Sequence, residues 1–321
     1  MSNAPAPFSD GQPVVFLLGP TATGKTELAL QLCRRLPCEI ISVDSAMVYR
    51  QMDIGTAKPE PEVLAVAPHR LIDIRDPRET YSAADFCSDA LEQIREIQGR
   101  NRIPLLVGGT MLYFKALREG LSPLPAADSE LRERLNCEGE QYGWSELHAR
   151  LAKVDQAAAR RIHPNDPQRI QRALEVYELT GIPLSEHQTT GLSGRLNQNY
   201  FQIALSTEDR ASLHDRIERR FDQMLEKGFV EEVDGLRQRG DLSLALPALR
   251  AVGYRQVWEY LDGEMDRAAM RYRGIVATRQ LAKRQFTWLR GTPGLASFEC
   301  LAPTLLDKVL KTLESRLTLD G

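Results

Sequence analysis

Near its start the chain reads Gly19-Pro20-Thr21-Ala22-Thr23-Gly24-Lys25-Thr26, the spacing G-x-x-x-x-G-K-[ST]. Each part of this run serves the capture of a diphosphate or triphosphate. The glycines let the main chain curl until successive N–H groups point at phosphate oxygens. Lys25 supplies a compact positive charge to the outer phosphate, and the Thr26 hydroxyl suits a Mg²⁺ ligand. Further on, Asp44 ends the run Ile40-Ile41-Ser42-Val43. A carboxylate beside a phosphate site assists Mg²⁺ through water or takes a proton from an attacking group. Followed by Ser45-Ala46-Met47-Val48, the same residue also reads as a helix cap.

These side chains need a scaffold that gathers strand ends. Residues 14–18 are apolar and predict a strand that feeds the glycine-rich turn. Residues 26–36 then place Leu28, Leu32 and Leu36 at helical spacing. Residues 39–43, 69–74 and 103–107 read as further strands. Residues 83–97 read as an amphipathic helix through Phe86, Ala90, Ile94 and Ile97. The alternation predicts an α/β fold, a P-loop NTPase-like parallel sheet flanked by helices. In such a sheet the strand carboxyl ends open on one crevice, so Asp44 is expected to point into the phosphate site.

The pattern changes after about residue 119. A proline-containing connector, 121–128, leads to helix-like segments at 129–135, 144–153 and 167–179, the last ended by Gly181 and Pro183. A polar linker at 191–199 precedes another strand at 201–205, after which helices alternate with short turns. The expected organisation is a flexible tail over 1–13, a core from 14–119 and 200–321 with C-terminal helices, and an all-helical insertion over 120–199.

The 321 residues, 42% apolar and 26% charged, suit a soluble chain of two domains or of one large core carrying an insertion. No apolar run approaches the roughly 18–20 residues that span a bilayer. The N-terminus lacks the basic and apolar regions of a signal peptide. A cytoplasmic protein with no membrane partner is therefore expected. Its five cysteines are odd in number and widely spaced, which argues against a disulfide framework or a structural zinc site. A net charge of −3 does not favour a general nucleic-acid binder, yet Arg267–Arg290 carries seven basic residues and no acid. That stretch is either a local phosphate-binding surface or a solvated helix face. Residues 103–107 run into Gly108-Gly109-Thr110. The Mg²⁺-positioning aspartate of ordinary NTP hydrolases is missing there.

Several blocks, taken in order, resemble the bacterial tRNA dimethylallyltransferase family. They are the phosphate loop, Val43-Asp44-Ser45-Ala46-Met47-Val48-Tyr49-Arg50, Gly55-Thr56-Ala57-Lys58-Pro59 and His69-Arg70-Leu71-Ile72-Asp73. Tyr81-Ser82-Ala83-Ala84-Asp85-Phe86, Gly108-Gly109-Thr110-Met111-Leu112-Tyr113 and His163-Pro164-Asn165-Asp166 continue the set. So do Gln168-Arg169-Ile170-Gln171-Arg172-Ala173-Leu174-Glu175, Val252-Gly253-Tyr254-Arg255-Gln256 and Thr278-Arg279-Gln280-Leu281-Ala282-Lys283-Arg284-Gln285. The resemblance spans roughly residues 14–290. One departure is Ala46-Met47, where a Gln before Val-Tyr is common in the family.

The resemblance implies transfer of a dimethylallyl group from dimethylallyl diphosphate to N6 of the adenosine 3′-adjacent to the anticodon. The expected tRNAs read codons starting with U. It implies that residues 19–26 bind the diphosphate, with Thr21 near the bridging oxygen and Lys25, Thr26 and Mg²⁺ on the leaving group. Arg220 would add a cation, with Arg216 as the alternative. Asp44 would accept the N6 proton. Asp44, Ser45, Ala46, Met47 and Thr110 would meet the tRNA anticodon stem-loop. Arg132, Gln168, Arg169, Ile170, Gln171 and Arg172 of the insertion would do so too, with Arg250, Val252, Gly253, Tyr254 and Arg255. On a helix, Arg169 and Arg172 share a face. Trp258, Trp288 and Phe286 are expected in the core. A monomer is expected.

Other readings fit parts of this pattern. An ATP-dependent small-molecule kinase accounts for the loop and Mg²⁺ but not for the basic stretch. An adenylate isopentenyltransferase needs no large RNA surface, so it leaves the helical insertion without a purpose. A tRNA-binding module without catalysis is the non-enzymatic alternative.

Overall fold

Val14–Leu18 is buried at every position and forms β1. Such all-apolar runs belong in a parallel sheet covered on both faces. The chain continues through α1 (Lys25–Arg35), β2 (Cys38–Val43), α2 (Pro61–Val66), β3 (His69–Arg70), α3 (Ala83–Gly99), β4 (Ile103–Gly108) and α4 (Met111–Glu119). Helices α5 (Ser129–Tyr142), α6 (Trp144–Val154), α7 (Gln156–Arg161), α8 (Pro167–Thr180) and α9 (Leu184–His187) follow. Then come β5 (Tyr200–Ser206), α10 (Arg210–Glu226), α11 (Phe229–Gln238), a 3-10 turn (Ala248–Arg250), α12 (Tyr254–Leu261), α13 (Arg267–Arg290), β6 (Leu295–Glu299) and α14 (Leu305–Leu317). This computed structural model describes residues 13–187, 194–196 and 199–317. The expected N-terminal tail, apart from Pro13, and most of the expected linker at 191–199 lie outside them.

The six strands pair in the order β3-β2-β4-β1-β5-β6, every pair parallel. In β1, Val15 and Leu17 join Leu28 and Leu32 of α1, Leu105 of β4, Ile203 of β5 and Val309 and Leu313 of α14 in one core cluster. Phe16 faces the other way, its ring 5.3 Å from Phe114 and 5.2 Å from Tyr200. Each fully buried side chain of this size contributes roughly 1.5–3 kcal/mol. The helix ends follow local rules. Glu27 lies in the first turn of α1 and Arg34 and Arg35 in its last, complementing the helix dipole. Ser82 and Asp85 form a reciprocal capping box that starts α3.

Two strand expectations need correction. The strand predicted at 69–74 stops at Arg70. Leu71 and Asp73 take φ of 63° and 57°, which no extended strand accommodates. The strand β6 went unseen, because Leu-Ala-Ser-Phe-Glu is a half-exposed edge segment without an apolar run.

The chain divides into two compact units, one of residues up to Lys115 and from Leu196 onward, the other Ala116–Arg195. The second is all helical among its described residues. Leu135, Leu147, Leu151, Ile170 and Leu174 form its core. Asp166 caps α8 and Pro167 opens it, while Gly181 ends it at φ 71°. No helix among the described residues is long and apolar enough to cross a membrane, and all five cysteines are free.

Candidate active site

The loop from Gly19 to Gly24 turns β1 into α1. Gly24 is the N-cap of α1 at φ 84°, a left-handed conformation that favours glycine, and no side chain caps the helix. The first amides of α1 thus face the cavity with their positive dipole end, an arrangement suited to phosphate. The Thr23 hydroxyl is buried and donates to the Pro20 carbonyl at 2.8 Å. It staples the loop, so only its main chain serves an anion. The Thr21 amide donates to Gln285 Oε1 at 3.0 Å, and Gln285 Nε2 donates to the Gly109 carbonyl at 2.9 Å. The Thr21 amide is thus held by α13, and Thr21, expected near the bridging oxygen, lines the cavity.

A cavity of about 490 Å³ opens at the carboxyl ends of β1, β2 and β4, and Thr21, Lys25, Thr26, Asp44, Thr110 and Arg220 line it. Lys25 Nζ donates to the Pro20 carbonyl at 2.7 Å. Burial, and then the nearby Arg220 guanidinium, push its pKa from 10.5 down to about 7, against the pull of Asp44. Burial also lowers the pKa of Arg220, with Asp44 acting in the opposite direction. Two recessed cations, neither ion-paired to a carboxylate among the described residues, define a place where an anion is favoured. Arg216 lies one helical turn from Arg220 on α10. Its guanidinium rests 3.6 Å from where a Gly24 Cβ would stand, beside the loop. Arg220, not Arg216, lines the cavity.

Asp44 performs the capping role that its sequence allowed and also lines the cavity. Its Oδ1 accepts the Ala46 amide at 2.8 Å and the Met47 amide at 3.2 Å, capping the turn after β2. The second carboxylate oxygen is left to act in the cavity that Asp44 lines. Thr110 ties the neighbouring strand ends together. Its hydroxyl oxygen accepts the Ser45 amide at 3.0 Å, and its own amide donates to the Val43 carbonyl at 3.2 Å. Ser45, Ala46, Met47, Arg250, Val252 and Gly253 also line the cavity.

The side chains expected at the RNA differ in how far the protein itself engages them. Ile170 is fully buried in the helical unit, so its side chain cannot touch RNA. Arg132 and Arg172 do not stand free. Both bind the Glu175 carboxylate, which has no exposed surface, and Arg172 also donates to the Pro125 carbonyl. Arg172 is thus held against Glu175, while the exposed Arg169 pairs with Asp166 at 3.4 Å. Gln171 spends its amide on the Arg132 carbonyl and Asn136, and Gln168 is exposed. The Tyr254 side chain is buried, with its hydroxyl on Glu232, and Arg255 pairs with Glu259 at 2.7 Å.

Burial alone would raise the Glu175 pKa, but hydrogen bonds from Arg132, Arg172 and the Asp128 amide hold it below the usual 4.5. Its stabilisation is thus present above about pH 4.5 and lost as pH falls through the lowered value. Glu175→Ala leaves two guanidinium groups facing a void and is expected to cost about 2–3 kcal/mol. Thermal unfolding of the full chain at pH 7 checks this.

The basic stretch is a single helix, α13, and part of it is spent on structure. Arg271 binds Glu218 and Asp222 of α10, and Arg279 binds Glu218. Its other face reaches the cavity through Thr278, Leu281, Arg284, Gln285 and Trp288. Trp258 is buried as expected, but Trp288 is corrected: it is 37% exposed, with Lys115 Nζ 5.9 Å from a ring centroid. Gln285 is the residue whose role sequence reasoning missed. Its one signal in the sequence is an uncharged amide among arginines and lysines.

The IPP transferase family model matches residues 47–292. This chain belongs to the IPP transferase family. A protein of Thioalkalivibrio sulfidiphilus named tRNA dimethylallyltransferase is 61% identical over 295 residues, 92% of each chain. One of the same name from Alkalilimnicola ehrlichii is 63% identical over 286 residues, 89% of this chain and 90% of its own. Among solved structures, the full-length tRNA isopentenylpyrophosphate transferase of Bacillus halodurans superposes with a TM-score of 0.70 at 38% identity, covering 95% of this chain and 97% of that one. A eukaryotic dimethylallyltransferase described as acting on tRNA gives a TM-score of 0.77 at 25% identity, covering 94% of this chain and 77% of that one.

Proposed function

We propose that the chain transfers a dimethylallyl group from dimethylallyl diphosphate to N6 of the adenosine beside the anticodon of tRNA. The observation that carries the reading is one cavity lined by Lys25, Arg220 and Asp44. The exocyclic nitrogen forms a bond to C1 of the allyl group as the C1–O bond breaks, and diphosphate leaves with the electron pair. Lys25, Arg220 and the loop amides meet charge that grows on the leaving oxygens, which is where fixed positive groups lower a barrier most. Asp44 takes the proton that the nitrogen sheds. An adenine amine is a weak nucleophile, and a carboxylate accepting its hydrogen bond raises and orients its electron density. Chemistry on a base calls for its extrusion from the stack into such a pocket.

Mg²⁺ fits the donors present. It binds a protein through one or two oxygen ligands plus substrate phosphates rather than through a cage. The cavity offers the Thr26 hydroxyl for this, and no three-ligand cluster exists among the described residues. When bound, the ion neutralises part of the diphosphate charge.

The low pKa of Lys25 gives a proton signature. With a pKa of about 7, the amine of the free protein is mostly neutral at pH 8. A bound polyanion favours the ammonium form, so binding takes up a proton and affinity falls as pH rises above 7. Titration calorimetry with inorganic pyrophosphate at pH 8, in buffers of different ionisation heat, is expected to show proton uptake that Lys25→Met abolishes.

The decisive test supplies labelled dimethylallyl diphosphate and an anticodon stem-loop RNA, with ATP and the same RNA as the second arm. Label in the adenosine supports the reading. Phosphoryl transfer from ATP with no prenyl product ends it.

A further inference from the structure

The chain between Asp44 and Arg75 is unusual in its backbone. Gln51, Ala57, Leu71 and Asp73 all take φ between 53° and 66°, a left-handed conformation that disfavours residues other than glycine. Such a shape persists only where surrounding contacts over-determine it. Part of this segment forms a wall of the cavity, through Ala46, Met47, Gly55, Thr56, Ala57 and Pro59.

Two charged side chains fix it. Lys58, 4% exposed, binds Asp53, Asp73 at 2.6 Å and the Tyr49 carbonyl at 3.0 Å. The second comes from far along the chain. Glu232 of α11 accepts three consecutive amides: Asp53 at 2.9 Å and Ile54 at 2.7 Å on Oε2, and Gly55 at 3.1 Å on Oε1. The Tyr254 hydroxyl also donates to Oε1, at 2.5 Å. Successive amides converging on one point form a nest for an anion, and the protein fills that nest with its own carboxylate. The fit is close. A Cβ on Gly55 would lie 2.1 Å from the Phe229 ring and 2.5 Å from Tyr254, so the main chain is pressed onto α11 and α12.

We propose that Glu232 is a positioning residue for prenyl transfer: as the resident anion of the amide nest at 53–55, it holds the acceptor-side wall of the cavity in register with Asp44. Glu232 does not line the cavity and touches no reacting atom. It acts through Gly55 and Tyr254, which do line it. The phosphate loop is built separately, by β1, α1 and Gln285. Glu232 therefore governs use of the RNA and not capture of the diphosphate. The inference rests on the reaction proposed above.

The test uses the full-length protein and three readouts: prenyl transfer to a stem-loop RNA, pyrophosphate affinity by calorimetry, and response to added formate. Wild type must prenylate the RNA in the same assay; if it does not, the reaction is wrong rather than the role of Glu232. Glu232→Ala is expected to lose about 10²-fold in kcat/KM for RNA, the scale of a misplaced reacting group. Pyrophosphate affinity should stay unchanged. Formate, a small carboxylate that fits the vacated nest, should restore much of the rate. Glu232→Gln keeps the shape but turns a donor toward part of the nest, and should give an intermediate loss with no formate response. The proposal is overturned if folded Glu232→Ala works at the wild-type rate. It is equally overturned if activity and pyrophosphate affinity fall together without rescue, which marks general damage. Should Glu232→Ala fail to fold, a wild-type rate in Glu232→Gln overturns it and a loss confined to RNA upholds it.

Discussion

Asp44→Asn is expected to lower kcat by at least about two orders of magnitude, the range usual for a general base, while RNA affinity stays near normal. The substitution separates the two functions of this side chain. An asparagine carbonyl oxygen can still accept the Ala46 and Met47 amides, which Asp44 binds at 2.8 and 3.2 Å. The turn after β2 therefore keeps its shape, and the cavity wall with it. What disappears is the charge on the oxygen directed at the substrate. Without it, nothing draws the proton from the attacking nitrogen, and the balance of charge around Lys25 and Arg220 shifts toward positive. Single-turnover prenylation of a stem-loop RNA, alongside equilibrium RNA binding, measures both halves. Near-normal turnover removes Asp44 from the chemistry.

Lys25→Met should be as severe, with an opposite sign in stability. Loss of one fixed donor to developing charge costs about 10²–10³ in rate, so kcat/KM for dimethylallyl diphosphate should fall by that factor. The free protein should nevertheless melt at the same temperature or higher. Burial holds the pKa of Lys25 near 7, against 10.5 when exposed. Between those values the unfolded chain binds more protons than the folded one, so the ammonium group works against the fold and stability rises with pH across that window. Methionine fills a similar volume without the charge. A variant that is inactive and also clearly less stable would mean that Lys25 supports the loop more than it opposes it.

Much of this arrangement is written locally. The phosphate loop declares itself because its spacing and its strand-to-helix setting are contiguous in the chain, and the alternation of short apolar runs with helical periodicity specifies a parallel sheet. Asp44 is legible because a strand end in such a sheet has a known direction. What could not be read is tertiary. Gln285 meets Thr21 across 264 positions, and Glu232 meets Ile54 across 178; no periodicity announces either. The insertion arginines show the converse. Arg132 and Arg172 look like RNA ligands as sequence, yet the buried Glu175 claims both. An acid inside an apolar helix face was the available hint. Trp288 was taken for core because large aromatics usually are, whereas its helix turns that ring toward the cavity. Strand β6 lacks any pattern of its own and exists because β5 offers an edge.

The order of strands in the sheet bears on biosynthesis. β1 lies between β4 and β5, and its partner β5 follows much later in the chain, beginning only at Tyr200. Until β5 is made, five consecutive apolar residues keep one backbone edge unpaired, the kind of sticky margin that invites pairing with a neighbouring nascent chain. Closure of that gap waits until the helices between β4 and β5 have been translated. Expression yield and the demand for chaperones should therefore be governed by elongation through the helical segment, long before any substrate is met.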